Sequence, residues 1–329
     1  MKGNVKIVVS TKRLRYELNL HRNITIIQGD SATGKTTLIQ ILSDYLSEKT
    51  GPGVDVVCDK KCAVLSGDSE SAIGRLKSLT ETVVFVDEQE RFLYSKAFAE
   101  AVLNSDCYFV FITRDGLNML PYSVSEIYCL RNSGYYQNIR QIYNSIHRIY
   151  PERKSEDCVH SVPPTVVLTE DSNSCYEMYE MLFRDTDIIC VSAEGKSNIA
   201  KYILSNADKP ILAIVDGAAF GADMQGAMHA LRVNQQSFVW TPESFEYLIL
   251  QSGIVKAEGL KEIMEAPEEF IESGEYCSWE RYFTWLLEET TKNTIYAYKK
   301  SRINSSYLTK GSIEKMRKVL PEILVKQSL

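Results

Sequence analysis

Short apolar runs alternate with amphipathic stretches along the chain, and this alternation predicts strands and helices in turn. Residues 83–87 and 108–113 are almost wholly apolar, which is typical of strands buried on both faces of a parallel sheet. Residues 5–9 and 13–20 predict two paired strands. The other elements predicted in this half are a strand running into Gly29, apolar runs at 54–57 and 63–65, a helix at 94–103, and an edge hairpin from 126–130 and 135–143.

A change in composition near residues 150–163 predicts a domain boundary, because a polar stretch is followed there by two prolines. Strands and helices alternate again after it. The sequence therefore predicts an α/β protein with a first domain at 1–155, a second at 163–255 and a helical extension at 256–329. In the second domain, strands are predicted at 165–169, 187–192, 210–215 and 236–240, and helices at 174–184, 197–205, 222–232 and 242–250.

The composition excludes several classes of protein. With 44% hydrophobic residues, a chain of 329 residues has ample material for a globular core. No apolar run approaches the roughly 20 residues that span a bilayer, so no membrane partner is expected, and the N-terminus does not resemble a signal peptide. The eight cysteines are scattered without a Cys-x-x-Cys pair. We therefore expect reduced thiols in the cytoplasm and no zinc site.

Charge is distributed unevenly. The net charge is −6, but residues 292–329 carry nine Lys or Arg and two Glu, so this tail is +7 and the rest of the chain is −13. Such a tail consists either of solvated helix faces or of a basic patch for a nucleic-acid backbone, interleaved with Tyr296, Tyr298 and Tyr307. On the second interpretation, some of Lys299, Lys300 and Arg302 face the cleft of the second domain. The sequence leaves a homo-oligomer open.

The strand before Gly29 runs into Gly29-x-x-x-x-Gly34-Lys35-Thr36 and then into an apolar helix. This order is the context that a phosphate-binding loop requires, because glycines let backbone N–H groups approach the phosphates and the helix N-terminus adds partial positive charge. Lys35 is predicted to reach the β- and γ-phosphates of a nucleotide, and Thr36 to bind Mg²⁺. The predicted nucleotide-binding residues are Gly29, Asp30, Ser31, Ala32, Thr33, Gly34, Lys35, Thr36 and Thr37.

A second motif follows at residues 83–88, where four apolar residues precede Asp87 and Glu88. A buried strand that ends in two acids is the Walker B pattern of phosphate-loop ATPases. Asp87 is predicted to join Thr36 as a Mg²⁺ ligand, and Glu88 to polarise the attacking water. The predicted catalytic residues are Lys35, Asp87 and Glu88, and the predicted cofactors are ATP and Mg²⁺.

Together with residues 109–115, these motifs resemble the ATP-binding-cassette and SMC-like branch of phosphate-loop ATPases. Thr113-Arg114-Asp115 stands where that branch usually carries Thr-His-Asp, so Arg114 departs from the usual switch histidine. Only 52 positions separate Lys35 from Asp87 (87 − 35), which leaves little room for the helical arm that the branch normally inserts. The resemblance therefore implies a compact ATPase.

The second domain has two predicted strands that each end in an acid, Glu170 and Asp216, at the edge of a parallel sheet where sites form. Two such carboxylates could hold Mg²⁺. Their order resembles a TOPRIM domain, although Ala218 replaces the second acid of the usual Asp-x-Asp. A structural role for these acids is the alternative. Glu246 either joins this site or lies on the surface.

An ATPase followed by a TOPRIM-like domain is the order of the OLD-family (overcoming lysogenization defect) proteins, which implies action on nucleic acid or in phage defence. The leading hypothesis is therefore a Mg·ATP-dependent ATPase with a TOPRIM-like effector or scaffold domain, in which nuclease activity is doubtful because of Ala218. The alternative is a nucleotide-dependent regulatory or assembly protein whose second domain only binds a partner. A small-molecule kinase is less favoured, because no Arg-rich lid is found.

Overall fold

A computed structural model describes residues 1–29, 34–48, 53–136, 141–150 and 162–325. The chain divides into two compact units, Met1–Pro151 with Ala266–Ser278, and Glu152–Glu265 with Trp279–Leu329. The first of these divisions falls after Pro151. The segment expected to form a separate helical extension is instead divided between the two units, because residues 266–278 return to the first.

The first unit is built on one mixed sheet of nine strands among its described residues, in the order β4-β1-β2-β9-β8-β3-β7-β6-β5. Strands β8, β3, β7, β6 and β5 are mutually parallel, whereas β4, β1 and β2 pair antiparallel to one another. The elements of this unit are β1 (Val5–Thr11), β2 (Leu14–Leu20), β3 (Ile24–Gln28), α1 (Lys35–Glu48), β4 (Val54–Cys58), β5 (Lys61–Val64), α2 (Ser69–Lys77), β6 (Thr82–Val86), α3 (Lys96–Leu103), β7 (Tyr108–Ile112), β8 (Ile127–Tyr136) and β9 (Gln141–Arg148).

The two edge strands of the first unit's sheet, β4 and β5, lie at opposite ends of the strand order, yet only Asp59 and Lys60 join them in the chain. A two-residue connection cannot span a flat sheet of nine strands, so the sheet curls and brings its two edges together. Helix α1 packs against both edge strands, and its buried Leu38 and Leu42 belong to the main core cluster with residues of β1, β2, β6 and β7. The start of α1 is therefore fixed by the hydrophobic core.

The second unit contains a four-stranded parallel sheet in the order β11-β10-β12-β13. Its central strands β10 and β12 are wholly buried, as expected for strands covered by helices on both faces. The predicted alternation of strands and helices is confirmed. The elements are β10 (Val166–Thr169), α4 (Ser174–Leu182), β11 (Ile189–Ser192), α5 (Ile199–Ser205), β12 (Ile211–Ile214), α6 (Gly221–Val233), β13 (Phe238–Trp240), α7 (Phe245–Gln251), α8 (Leu260–Glu265), α9 (Trp279–Thr291), α10 (Lys310–Arg317) and α11 (Glu322–Val325).

Side-chain caps fix where several helices begin. Asp68 accepts from the backbone N–H of Ser71 at the start of α2, and Ser244 accepts from that of Tyr247 at the start of α7. Such a bond satisfies an N–H that the helix itself leaves without a partner, and it stabilises by about 1 kcal/mol. In the part of the chain that the structure describes, no helix is both long and apolar enough to cross a membrane.

Candidate functional site

Five parallel strands of the first unit end at one edge of the sheet, and the predicted site residues follow them there. Asp87 comes directly after β6, Thr113 after β7 and Gly29 after β3. Strand β7 lies between β3 and β6, so Thr113 stands between the other two positions. The structure therefore brings the two predicted motifs to the same edge, one strand apart.

The two glycines of the predicted phosphate loop both have backbone conformations that favour glycine. The φ angles are +133° at Gly29 and +90° at Gly34. A Cβ on Gly34 would lie 2.9 Å from the hydroxyl oxygen of Tyr16, which in turn donates to the Gly34 carbonyl. Four predicted nucleotide-binding residues lie outside the described residues, namely Asp30, Ser31, Ala32 and Thr33.

Lys35 is the first residue of α1, and its side chain turns back toward the end of β3. Its Nζ donates to the Gly29 carbonyl at 2.5 Å, and the residue is only 5% exposed. The lysine thus spans the two ends of the predicted loop. Thr36 and Thr37 lie in the first turn of α1 and are exposed.

Asp87 and Glu88 differ in their surroundings. Asp87 is buried, and its Oδ1 accepts from the backbone N–H of Gln89 at 3.3 Å. Glu88 is partly exposed, and its Oε2 lies 3.3 Å from Nε of Arg114. Arg114, which replaces the histidine that the resemblance implies, therefore contacts the residue predicted to polarise water.

Thr113 is completely buried, and its hydroxyl stabilises the turn after β7. It donates to the Asp115 carbonyl at 2.9 Å, accepts from the Asp115 N–H at 3.1 Å, and lies 3.1 Å from the hydroxyl of Tyr94. Contact with a γ-phosphate stays a prediction for this strand end. Tyr94 was not identified from the sequence, because it lies beyond the second motif with no pattern of its own.

A Mg²⁺-bound nucleotide requires an ammonium, a hydroxyl and a carboxylate near a backbone that can approach phosphates. The described residues fit this chemistry. Gly29 and Gly34 have positive φ angles, which residues with a Cβ rarely adopt, and Lys35 and Asp87 lie at one edge of the sheet. Lys35, Thr36 and Asp87 are the residues that would hold such a group.

In the second unit, Glu170 and Asp216 follow adjacent parallel strands, as the sequence predicts. The backbone N–H of Asp216 donates to Oε1 of Glu170 at 2.8 Å. Oδ1 of Asp216 accepts from the N–H of Phe245 at 3.1 Å, which ties the strand end to the start of α7. Each carboxylate therefore gives one oxygen to a backbone donor.

A small cavity of about 20 Å³ opens beside these carboxylates, and it has room for about one water molecule. Glu246 and Lys300 also line it, so the prediction that a cation of the tail faces this cleft is confirmed for Lys300. Glu246 is only 1% exposed; Tyr298 donates to its Oε1 at 2.8 Å, while its Oε2 has no partner among the described atoms. The surface interpretation of Glu246 is therefore wrong.

The crowding of carboxylates changes their pKa values. Burial raises the pKa of Glu170 to about 7, and nearby Glu280 adds to this, while the Asp216 N–H and Lys196 oppose it. Burial also raises the pKa values of Asp216 and Glu246. Such a group of acids stays buried only with protons or a cation to neutralise it.

Lys300 supplies one positive charge to this group. Its Nζ lies 2.5 Å from Oε1 of Glu280. Burial disfavours the ammonium, but Glu246, Glu280 and Asp216 outweigh that effect, so the pKa of Lys300 is raised. The lysine was singled out in the sequence only as part of a basic tail, because its partners lie far away along the chain.

A metal role for Glu170 and Asp216 stays a prediction. Within the described ranges, no group of three or more His, Cys, Asp or Glu side chains is arranged to hold a metal ion. Asp223 lies in the first turn of α6, where its Oδ2 is 3.9 Å from Nζ of Lys196, and that Nζ donates to the Ala219 carbonyl at 2.9 Å. The donor set therefore fits an internally neutralised pocket better than a magnesium site.

Two of the three tyrosines of the basic tail are not available to stack on bases as the basic-patch interpretation requires, whereas Tyr296 is partly exposed. Tyr298 and Tyr307 are buried, and their rings pack edge to face with centroids 6.1 Å apart. Lys315 donates to the Gly253 carbonyl, whereas Lys299 and Arg302 are exposed. The exposed cations and the partly exposed Tyr296 would remain for a nucleic acid.

No family model and no curated protein matches this sequence.

Proposed function

We propose that the first unit is a compact P-loop NTPase that binds Mg·ATP and hydrolyses it. The observation that carries this proposal is the shared sheet edge, where Lys35 at the start of α1 and Asp87 after β6 lie one strand apart. The positive φ angles of Gly29 and Gly34 support it, because they leave the backbone open to phosphate oxygens.

Each residue would have a separate role. Mg·ATP, when bound, would supply a phosphoanhydride polarised by the metal. Lys35 would exchange its bond to the Gly29 carbonyl for phosphate oxygens, while Thr36 and Asp87 would offer oxygen ligands to the cation. Glu88 would accept a proton from the attacking water, which requires its carboxylate to stay ionised.

The second unit, on this proposal, is a TOPRIM-like effector or scaffold. Its parallel order and the placement of Glu170 and Asp216 on neighbouring strands support that fold, and a resemblance to OLD-family proteins would place its action on nucleic acid or in phage defence. Ala218 in place of a second acid and the charge of Lys300 favour a scaffold over a nuclease.

One specific observation favours the alternative of a nucleotide-dependent regulatory or assembly protein. The ion pair with Arg114 occupies an oxygen of Glu88, so water activation requires that carboxylate to turn away from the guanidinium. If the Glu88 carboxylate stays paired with Arg114, ATP would act as a conformational ligand and the second unit would only bind a partner.

The test is Mg²⁺-dependent phosphate release from ATP by the full chain, compared with Lys35→Ala. Turnover that this variant loses supports the ATPase. ATP binding without turnover supports the regulatory alternative, and no binding contradicts both. A separate incubation with DNA or RNA and Mn²⁺ tests the second unit, because cleavage that Asp216→Asn abolishes would contradict the scaffold role.

A further inference from the structure

Cys58 and Cys62 meet where the two edge strands of the first unit's sheet join. Cys58 is the last residue of β4, and Cys62 lies in β5. Both side chains are partly buried against the main core cluster, and both are free thiols.

Both sulfurs contact the backbone of Lys60 in this turn. The backbone N–H of Lys60 donates to the sulfur of Cys58 at 3.4 Å, and the thiol of Cys62 donates to the Lys60 carbonyl at 4.0 Å, so the two thiols lie on either side of one residue. The neighbouring Cys62 thiol and the Lys60 N–H lower the pKa of Cys58 to about 7, although burial and Asp59 oppose the change. The neighbouring Cys58 and burial raise the pKa of Cys62.

Five other cysteines are described, and Cys107, Cys175, Cys190 and Cys277 lack this combination of access and activation. Cys107 and Cys277 are buried. Burial raises the pKa of Cys175, and it raises that of Cys190 to about 12, so these thiols resist ionisation. Since the thiolate is the reactive form, oxidation should favour Cys58 over these four thiols, and the partly exposed Cys129 is the internal comparison.

We propose that Cys58 and Cys62 form a redox modification site, at which a peroxide oxidises the two thiols to a disulfide that links β4 to β5. The disulfide would link the end of β4 covalently to β5, the two edge strands of the curled sheet. Helix α1 packs against both of these strands, so the modification lies directly beside the helix that begins at Lys35.

The chemistry balances with a peroxide as the oxidant. The Cys58 thiolate attacks one oxygen of hydrogen peroxide, the O–O bond breaks, and the departing hydroxide takes up a proton to leave as water. Cys58 is then a sulfenic acid. The Cys62 sulfur attacks the Cys58 sulfur, an S–S bond forms, the S–O bond breaks, and the second hydroxide leaves as water with the proton of Cys62. Two thiols thereby lose two electrons to one peroxide.

The experiment is peroxide titration of the full chain, followed by blocking of free thiols and tryptic digestion without reduction. Lys60 and Lys61 lie between the two cysteines, so trypsin separates their peptides unless a disulfide joins them. We expect the joined peptide at the lowest peroxide doses, with a mass two hydrogens below the sum of the free peptides, and its loss after dithiothreitol.

Cys62→Ser is the matched variant, because it keeps a hydrogen-bond donor but cannot form the disulfide. In this variant, dimedone should trap the sulfenic acid on Cys58, whereas wild type should show little trapping. The proposal is overturned if wild-type Cys58 and Cys62 stay unlinked while other cysteines oxidise, or if dimedone labels Cys58 equally in both proteins. The wild-type digest alone decides the matter if the variant does not fold.

Discussion

Arg114 contacts Glu88 at the edge of the first unit's sheet, with 3.3 Å between Nε of the arginine and Oε2 of the glutamate. The guanidinium lies directly after β7, and the carboxylate lies after the neighbouring strand β6. This pair joins the residue proposed to accept a proton from water to Arg114, which stands where the resemblance to ATP-binding-cassette ATPases implies a histidine. Because the ion pair and water activation compete for the same carboxylate, substitution of Glu88 tests hydrolysis directly.

Glu88→Gln should retain ATP binding and lower turnover by about 10²-fold or more, because an amide cannot accept the proton of the attacking water. Phosphate release under saturating Mg·ATP measures turnover, and calorimetric titration measures binding. Glu100→Gln, an exposed change on α3, is the control and should leave both unchanged. Turnover of Glu88→Gln at the wild-type rate would remove Glu88 from the mechanism.

Glu170 should make stability depend on pH. Its pKa is raised from an ordinary 4.5 to about 7 in the folded state, so between these values the folded protein binds more protons than the unfolded chain. The free energy of unfolding should therefore fall as pH rises from 4.5 to 7, by about 1–3 kcal/mol for this half-buried group.

Glu170→Gln keeps an acceptor for the Asp216 N–H but removes this titration. The variant should be more stable than wild type at pH 7.5 and should lose that advantage near pH 4.5. Urea unfolding over a pH series measures it, with the exposed Glu262→Gln as the control. A difference from wild type that is the same at every pH would contradict the raised pKa.

Lys300→Met should destabilise the second unit by about 1–3 kcal/mol at pH 7, because it leaves Glu246, Glu280 and Asp216 without their nearby cation. The side chain is 38% exposed, so solvent screens part of the effect. The loss should shrink toward pH 5, because Glu246 and Asp216, whose pKa values are raised, take up protons as the pH falls. Thermal unfolding at pH 7 and pH 5 measures this loss of stability, with the exposed Lys299→Met as the control. An equal loss at the two pH values would mean that Lys300 contributes packing and not charge.

Gly217→Ala tests the strand end that carries Asp216. An added Cβ would lie 2.5 Å from the carbonyl oxygen of Thr241 and 2.8 Å from that of Pro242, and backbone atoms cannot easily move away. We expect a loss of about 1–3 kcal/mol. Gly311→Ala, with nothing within 4 Å of its added Cβ, should change stability by less than about 1 kcal/mol. Equal unfolding midpoints for the two variants would refute the close packing at Gly217.

Local pattern predicted the parts of this molecule that depend on neighbouring residues. The apolar runs became buried parallel strands, and the ends of β10 and β12 place Glu170 beside Asp216 because parallel strands end at a common edge. The positions of Gly29 and Gly34 likewise followed from the motif, since both have positive φ.

Long-range pairing could not be predicted in the same way. Nothing in the sequence indicates that β4 and β5 lie at opposite ends of the sheet order, or that residues 266–278 return to the first unit. Glu246 and Lys300 join the acidic pocket through tertiary packing of α7 and the segment after α9, which a helical pattern alone does not fix. Charge neutralisation there depends on residues distant in the chain.

The central claim is that the first unit binds a nucleotide through Lys35, and calorimetric titration of the full chain with Mg·ATP tests it most directly. Wild type should bind, Lys35→Ala should lose at least about tenfold in affinity because the cation facing the phosphates is gone, and the exposed Lys77→Ala should bind as wild type does. Equal affinity of Lys35→Ala and wild type, or no binding by wild type, would contradict the account.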